Sequence, residues 1–319
     1  MGTGRHLLVD GKPFFMLGGQ VNNSSAYTAE RMAPIWDTLN RMGANTAEVP
    51  LYWEQFEPRE GVYDYAMLEA LLAGAREHGL KLVLLWFGAW KNGTMKYAPA
   101  WVKQQPERFR RVITREGVPV TVLSPHCRAT LEADRRAVCA LLERLRQLDA
   151  DQGTVILLQI ENEPGLQGSP RDYGAEANML YAGPVPAELL RALPTAIRPA
   201  LRAAWIAAGS HTAGTWEQVF GPLAEEVFTA WYLARYVEEI AAAGHQVYPL
   251  PTYINVWLRE IQFRQAGYEY PAGGAVETMI DVWKAAAPTL YALAPDIYWT
   301  ESAAYRRICA AYDRPDNPL

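Results

Sequence analysis

Cysteine and histidine are scarce in this chain: three cysteines and five histidines in 319 residues. Cys127, Cys139 and Cys309 are an odd, widely spaced set, which excludes a disulfide framework and any thiolate metal knuckle. They read as buried free thiols of a reducing compartment. His126, in Ser124-Pro125-His126-Cys127, has no second histidine at ligand spacing, so no metal site and no cofactor is expected. Long basic runs are missing and the net charge is −5, so the sequence has no electrostatic footprint for nucleic acid. No apolar run reaches the length of a membrane span. The first twenty residues carry Asp10 and Lys12 and lack a continuous apolar core, so no signal peptide is evident. A cytoplasmic location is the expectation, with the periplasm as the alternative if the N-terminus is processed. Internal repeats, low-complexity tracts and linkers are also lacking, and one domain over residues 1–319 is the expected organisation.

Aromatic residues, by contrast, are plentiful, with 11 Trp and 17 Tyr. Such rings dominate packing, and near polar strand ends they also suit the flat faces of sugars. The most informative stretch is Val155-Ile156-Leu157-Leu158-Gln159-Ile160-Glu161-Asn162-Glu163-Pro164-Gly165. Its branched apolar run reads as a buried strand. The run stops at two carboxylates and an amide, which are costly to bury unpaired, so the strand must emerge there into a polar place. Strict alternation would put Gln159, Glu161 and Glu163 on one side and Asn162 on the other. For Asn162 and Glu163 to act together, the strand must bulge or end at this point.

Along the chain, strands alternate with helices. Phe14–Leu17 leading into Gly18-Gly19-Gln20 reads as the first strand, Glu30–Met42 as a helix stopped by Gly43, and Thr46–Trp53 as the second strand. A helical stripe from Met67 to Ala75, stopped by Gly79, precedes a third strand over Lys81–Phe87. Val118–Leu123 reads as a hairpin strand and Leu131–Leu148 as a helix, ahead of the fourth strand. After Pro164 the chain makes a long excursion to Pro222, with short helices near Pro186–Leu193 and Arg198–Ala208. Leu223–Ala243 reads as helix, Val247–Trp257 as the fifth strand, and Thr278–Leu293 as a helix that Pro288 should kink. Asp296–Trp299 is read as the sixth strand and Ser302–Tyr312 as the last helix. Such alternation means parallel strands with helical crossovers. A nucleotide-binding sheet is disfavoured, because Gly18-Gly19-Gln20 is no phosphate-binding turn. The expected fold is therefore α/β, a TIM (β/α)8-type barrel with about six of its eight strands present.

The stretch Asn45-Thr46-Ala47-Glu48-Val49-Pro50-Leu51-Tyr52-Trp53, with Glu57-Pro58-Arg59-Glu60-Gly61-Val62-Tyr63-Asp64-Tyr65, resembles the second-strand signature of β-galactosidase-type glycoside hydrolases. Gln159-Ile160-Glu161-Asn162-Glu163 resembles the acid/base strand of glycoside hydrolase family 35 and, more loosely, of family 42. The resemblance implies cofactor-free, retaining hydrolysis of β-galactosides or related β-glycosides on oligo- or polysaccharide substrates. It implies Glu163 as general acid/base and Asn162 as the amide beside the cleaved bond. Where family 35 has an Ala-Glu pair after its third strand, Phe87-Gly88-Ala89-Trp90 stands here, which points to a divergent bacterial branch. In this clan the nucleophile ends the seventh strand, which follows a segment like Asn317-Pro318-Leu319. The chain is accordingly expected to be C-terminally truncated, with its nucleophile beyond Leu319.

Other candidates for substrate contact are Tyr52, Trp86, Trp90, Tyr253 and Trp257, all near strand ends, with Trp299 beside them. Gln20, Asn22 and Asn92 are candidate hydroxyl ligands, and Glu57 reads as structural. Glu301, after the sixth strand, is a further candidate for substrate contact; it reads as a carboxylate at a helix N-terminus rather than as the nucleophile. The alternatives are a non-catalytic carbohydrate-binding barrel and a lyase or isomerase barrel acting on a phosphorylated substrate.

Overall fold

A computed structural model describes residues 7–196, 199–260 and 262–318. Six strands form one sheet: β1 (Gly18–Gln20), β2 (Thr46–Tyr52), β3 (Lys81–Phe87), β4 (Val155–Gln159), β5 (Thr252–Val256) and β6 (Ala292–Pro295). They lie side by side in sequence order and every neighbouring pair is parallel. Crossovers carry the helices α1 (Ala29–Arg41), α2 (Ala66–Glu77), α3 (Arg128–Asp149), α4 (Ala224–Val247) and α5 (Ile280–Ala286), and α6 (Ser302–Tyr312) follows β6. Among the described residues β1 and β6 do not pair with each other, so the sheet is an open half-barrel.

Local chemistry explains most boundaries. The Thr28 hydroxyl caps α1 by accepting from the Arg31 amide, satisfying one donor that the helix leaves free. Gly43 and Gly79 take the left-handed conformation just after α1 and α2, which only glycine adopts without penalty. Each helix is thus stopped a few residues before the next strand. On β3 the outward residues Leu82, Leu84 and Trp86 are fully buried. Inward residues fall on shared registers: Gln20 pairs with Glu48, Glu48 with Val83, and Gln159 with Tyr253. These inward positions, with Leu157, Asn255, Ala292 and Ala294, line a cavity of about 560 Å³ on the open inner face.

Several expected bounds move. Phe14–Leu17 is not strand; β1 is only Gly18–Gln20, and Phe15 stands 84% exposed. The fifth strand starts at Thr252 rather than Val247, because α4 runs on to Val247 and the prolines at 249 and 251 donate no ladder bond. The helix expected over Thr278–Leu293 ends at Ala286, two residues ahead of Pro288. The residues freed form β6, so the sixth strand lies before Asp296 rather than from Asp296 to Trp299. The excursion after β4 also holds short helices at Ala175–Ala182 and Trp216–Phe220. Arg198, the expected start of another, lies outside the described residues, as does Leu319; that helix spans Pro199–Ala207. No described helix is long and apolar enough to cross a membrane.

The start of β4 is fixed by Asp149, which is fully buried at the end of α3. Its carboxylate accepts from the Thr154 amide at 3.0 Å, the Val155 amide at 2.7 Å and the Arg76 guanidinium at 2.7 Å. Removing the carboxylate leaves the buried Thr154 and Val155 amides without an acceptor, while Arg76 keeps Thr154 Oγ1 and the Leu148 carbonyl. Asp149→Ala is expected to cost about 3 kcal/mol of stability, read from urea unfolding. An unchanged midpoint would show that α3 and β4 are held together by apolar contact alone.

Candidate active site

The C-terminal ends of β3, β4, β5 and β6 meet at one place. β4 ends at Gln159, and the next residues leave the strand geometry altogether. Glu161 has φ +61° and Glu163 has φ +48°, left-handed values that cost a non-glycine residue roughly 1–2 kcal/mol each. Two such residues flanking Asn162 cancel the alternation expected from the sequence. Gln159 lines the inner cavity. Glu161 turns outward beneath the loop after β3, and its carboxylate accepts from the Trp90 amide at 2.7 Å. Glu163 turns inward to line a pocket of about 290 Å³ with Asn92, Trp257, Leu258, Glu260, Asp296, Tyr298 and Trp299.

Glu163 is held from several sides. Its amide donates to Asn255 Oδ1 at 2.7 Å, while Asn255 Nδ2 donates to Asp296 Oδ2 at 2.8 Å. Asn92 Nδ2 donates to Glu163 Oε2, and the carboxyls of Glu163 and Asp296 share a hydrogen bond. Two carboxyls so close cannot both be ionised cheaply. Burial first, and the Asp296 charge second, push Glu163 up to about 8, against the pull of Lys91 and Asn92. Burial also raises Asp296, with the Asn255 amide opposing it. Lys91, only 6% exposed, is lowered by burial while both carboxyls pull it back up. The site therefore brings one buried lysine and two carboxyls together, and the closeness of the carboxyls favours a shared proton.

A second acid pair lies behind it. Glu161 and Asp134 are fully buried and hydrogen-bonded to each other. Trp86 Nε1 donates to Asp134 Oδ1 at 2.9 Å and the Tyr236 hydroxyl donates to Oδ2 at 3.0 Å. Burial and the Asp134 charge hold Glu161 well above the usual carboxylate range. Gly88 is required beside this pair, since a Cβ there would stand 2.4 Å from Trp86 Nε1 and 2.9 Å from Glu161 Oε1.

The sequence matches a known family. The family model for glycoside hydrolase family 42, described as beta-galactosidase, matches residues 24–234. The chain belongs to glycoside hydrolase family 42. It is similar to a beta-galactosidase of Xanthomonas manihotis, 24% identical over 188 residues that are 56% of this chain and 28% of the relative. Solved structures agree at the level of fold. A beta-galactosidase from Bacillus circulans sp. alkalophilus is 15% identical, with a TM-score of 0.59 over 93% of this chain and 42% of that one. A catalytic mutant of a family 42 beta-galactosidase from G. stearothermophilus is 18% identical, with a TM-score of 0.58 over 90% and 41%. The chain thus spans less than half the length of these relatives. The looser of the two resemblances seen in the motifs is the one the family model matches.

Of the residues singled out from the sequence, the pocket gathers Glu163, Trp257, Trp299 and Asn92. Asn162 is buried beside them, and its Oδ1 has no hydrogen-bond partner. Tyr253, Gln20 and Glu48 line the inner cavity instead, where burial and the Asp296 charge raise Glu48. Three aromatic expectations are overturned. Trp86 points outward to Asp134. Trp90 is fully buried, donates to the Leu123 carbonyl and packs on Tyr236. Tyr52 is 1% exposed under Tyr27 and Tyr97, and its hydroxyl donates to the Asn23 carbonyl. Core packing claims all three. Glu301 is exposed at the N-cap of α6 and does not line the pocket. Asn22 caps a local turn through the Ser24 amide. Glu57 accepts from the Trp53 indole and the Gly61 amide, a structural role. His126 packs on Phe228 and Tyr232.

Sequence reasoning missed Lys91, Asn255 and Asp296. Asn255 left one signal, an amide between Ile254 and Val256 in a buried strand. Asp296 was hidden by the misplacement of β6.

The Glu161–Asp134 pair makes stability depend on pH. Because Glu161 is raised in the folded state, the folded chain holds a proton that the unfolded chain releases. That contribution is complete below the unfolded carboxylate value near 4.5 and is lost as pH rises toward the folded value. Glu161→Gln keeps a donor for Asp134 and an acceptor for Trp90 without the titration. The variant should therefore lose less stability than the parent between pH 5 and 8, as read from urea midpoints. Parallel pH profiles would show that the pair holds no extra proton.

Proposed function

We propose that this chain carries the acid/base half of a retaining β-galactosidase site, with Glu163 protonating the leaving glycosidic oxygen and then activating water. The supporting observation is a buried carboxyl raised to about 8 at the end of β4, opening into an aromatic-walled pocket. A general acid must keep its proton near neutral pH, and sharing a proton with Asp296 supplies that. In parallel barrels this end of the strands is where chemistry is done. Trp257 and Trp299 offer flat apolar faces for a sugar ring. The β-galactoside class rests on the names of the relatives.

Retaining hydrolysis needs a second carboxylate about 5–5.5 Å from the acid. Asp296 hydrogen-bonds Glu163 and is too close, Glu301 does not line the pocket, and Glu260, which lines it, follows β5 rather than a later strand. We infer that the attacking carboxylate comes from outside the described residues. The alternative, a barrel that binds glycans without cleaving them, draws on the same lack of a second carboxylate at the right distance.

In a protein that supplies both carboxylates, Glu163→Gln is expected to lower kcat on an aryl β-galactoside of poor leaving group by about 10²–10⁴-fold. Parent activity should fall as pH rises above about 8, where Glu163 loses its proton. Unchanged turnover in the variant would overturn the assignment. Galactose binding without turnover in a protein that supplies both carboxylates would favour the binding reading.

A further inference from the structure

Lys91 is a buried cation that the reaction proposed for Glu163 does not call on. Its ammonium donates to Asn92 Oδ1 and lies 5.0 Å from the centre of the Phe87 ring. Its backbone is bridged to Asn162 on the far side of the same turn. Asn92, held at φ +54°, then spans the gap from Lys91 to Glu163. An ammonium has donors only, so the oxygen end of the Asn92 amide must face Lys91. The amino end therefore faces Glu163 and donates to its Oε2. An oxygen that accepts from an amide cannot also present a proton along that line.

We propose that Lys91 is a positioning residue for Glu163: by fixing the orientation of the Asn92 amide it makes Glu163 Oε2 an acceptor and confines the transferable proton to Oε1. The proposal deepens the acid/base reading and rests on it for its catalytic meaning. Without the ammonium, the amide is free to turn over and offer its carbonyl, which would call a proton onto Oε2. Lys91 thus decides which oxygen of the acid is armed, and its charge favours the ionised form needed when Glu163 acts as base. The other charged or titratable groups facing Glu163 are Asp296 and Tyr298 after β6 and Glu260 after β5, while Lys96 faces Lys91.

The test follows the Glu163 carboxyl by 13C NMR across pH in the full chain, with its resonance identified by its loss in Glu163→Gln. In Lys91→Met the midpoint should move up by about one unit or more, the size expected when a neighbouring opposite charge is removed. Lys91→Arg, which keeps a donor-only cation, should restore most of the parent midpoint. Near-UV circular dichroism reports whether each variant folds. If Lys91→Met does not fold, Asn92→Ala removes the same link, and its Glu163 midpoint should also rise. A Glu163 midpoint unchanged in the folded variant overturns the proposal. The two readings separate cleanly. If Glu163→Gln leaves turnover intact while the titration still responds to Lys91, the acid/base assignment fails and the positioning role stands.

Discussion

The architecture of the site depends on the cost of ending an apolar strand in two buried carboxyls. β4 delivers Glu161 and Glu163 into the interior, where neither can stay ionised without a partner. The chain answers by twisting each into a left-handed conformation, so that they face opposite ways. Glu161 pairs with Asp134 beneath the loop after β3, and Glu163 pairs with Asp296 at the pocket. Strain of this kind persists only where its surroundings over-determine it. Here the Trp90 amide, the Asn255 amide and Asn92 do so.

That arrangement ties helix packing to the chemistry. Asp134 comes from α3 and Tyr236 from α4, and these two helices pack on each other outside the sheet. Their contact fixes Asp134, Asp134 fixes Glu161, and the turn at Glu161 aims Glu163. Trp86 and Trp90 belong to this chain of support. They are large, invariably tempting candidates for sugar stacking, yet they serve by closing the space behind the turn.

On the inner side the charges are few and close together. Lys91, Glu163 and Asp296 lie together, and Asn92 and Asn255 tie them to the ends of β3 and β5. The same Asp296 borders both the pocket and the inner cavity, so its charge also raises Glu48. The open inner face leaves this group lined by Tyr253, Gln159 and Glu48, polar and aromatic together.

By itself the sequence determined the parallel α/β class, the helix stops at Gly43 and Gly79, the span of β3, and the emergence of a strand at Glu161–Glu163. Those follow from periodicity, glycine conformation and the cost of burying charge, all of which act over a few residues. The polar break at Glu163 was legible for the same reason. Tertiary structure alone decided which side each residue faces. Two left-handed residues reversed the alternation after Gln159, core packing took Tyr52, Trp86 and Trp90, and a helix ending at Ala286 moved β6 ahead of Asp296. The partners of Glu163 lie on β5, at Asn255, and just past β3 and β6, at Asn92 and Asp296, with separations of 71 residues for Asn92 and 92 for Asn255. No local pattern carries such distances; only the closing of the sheet brings them to one carboxyl.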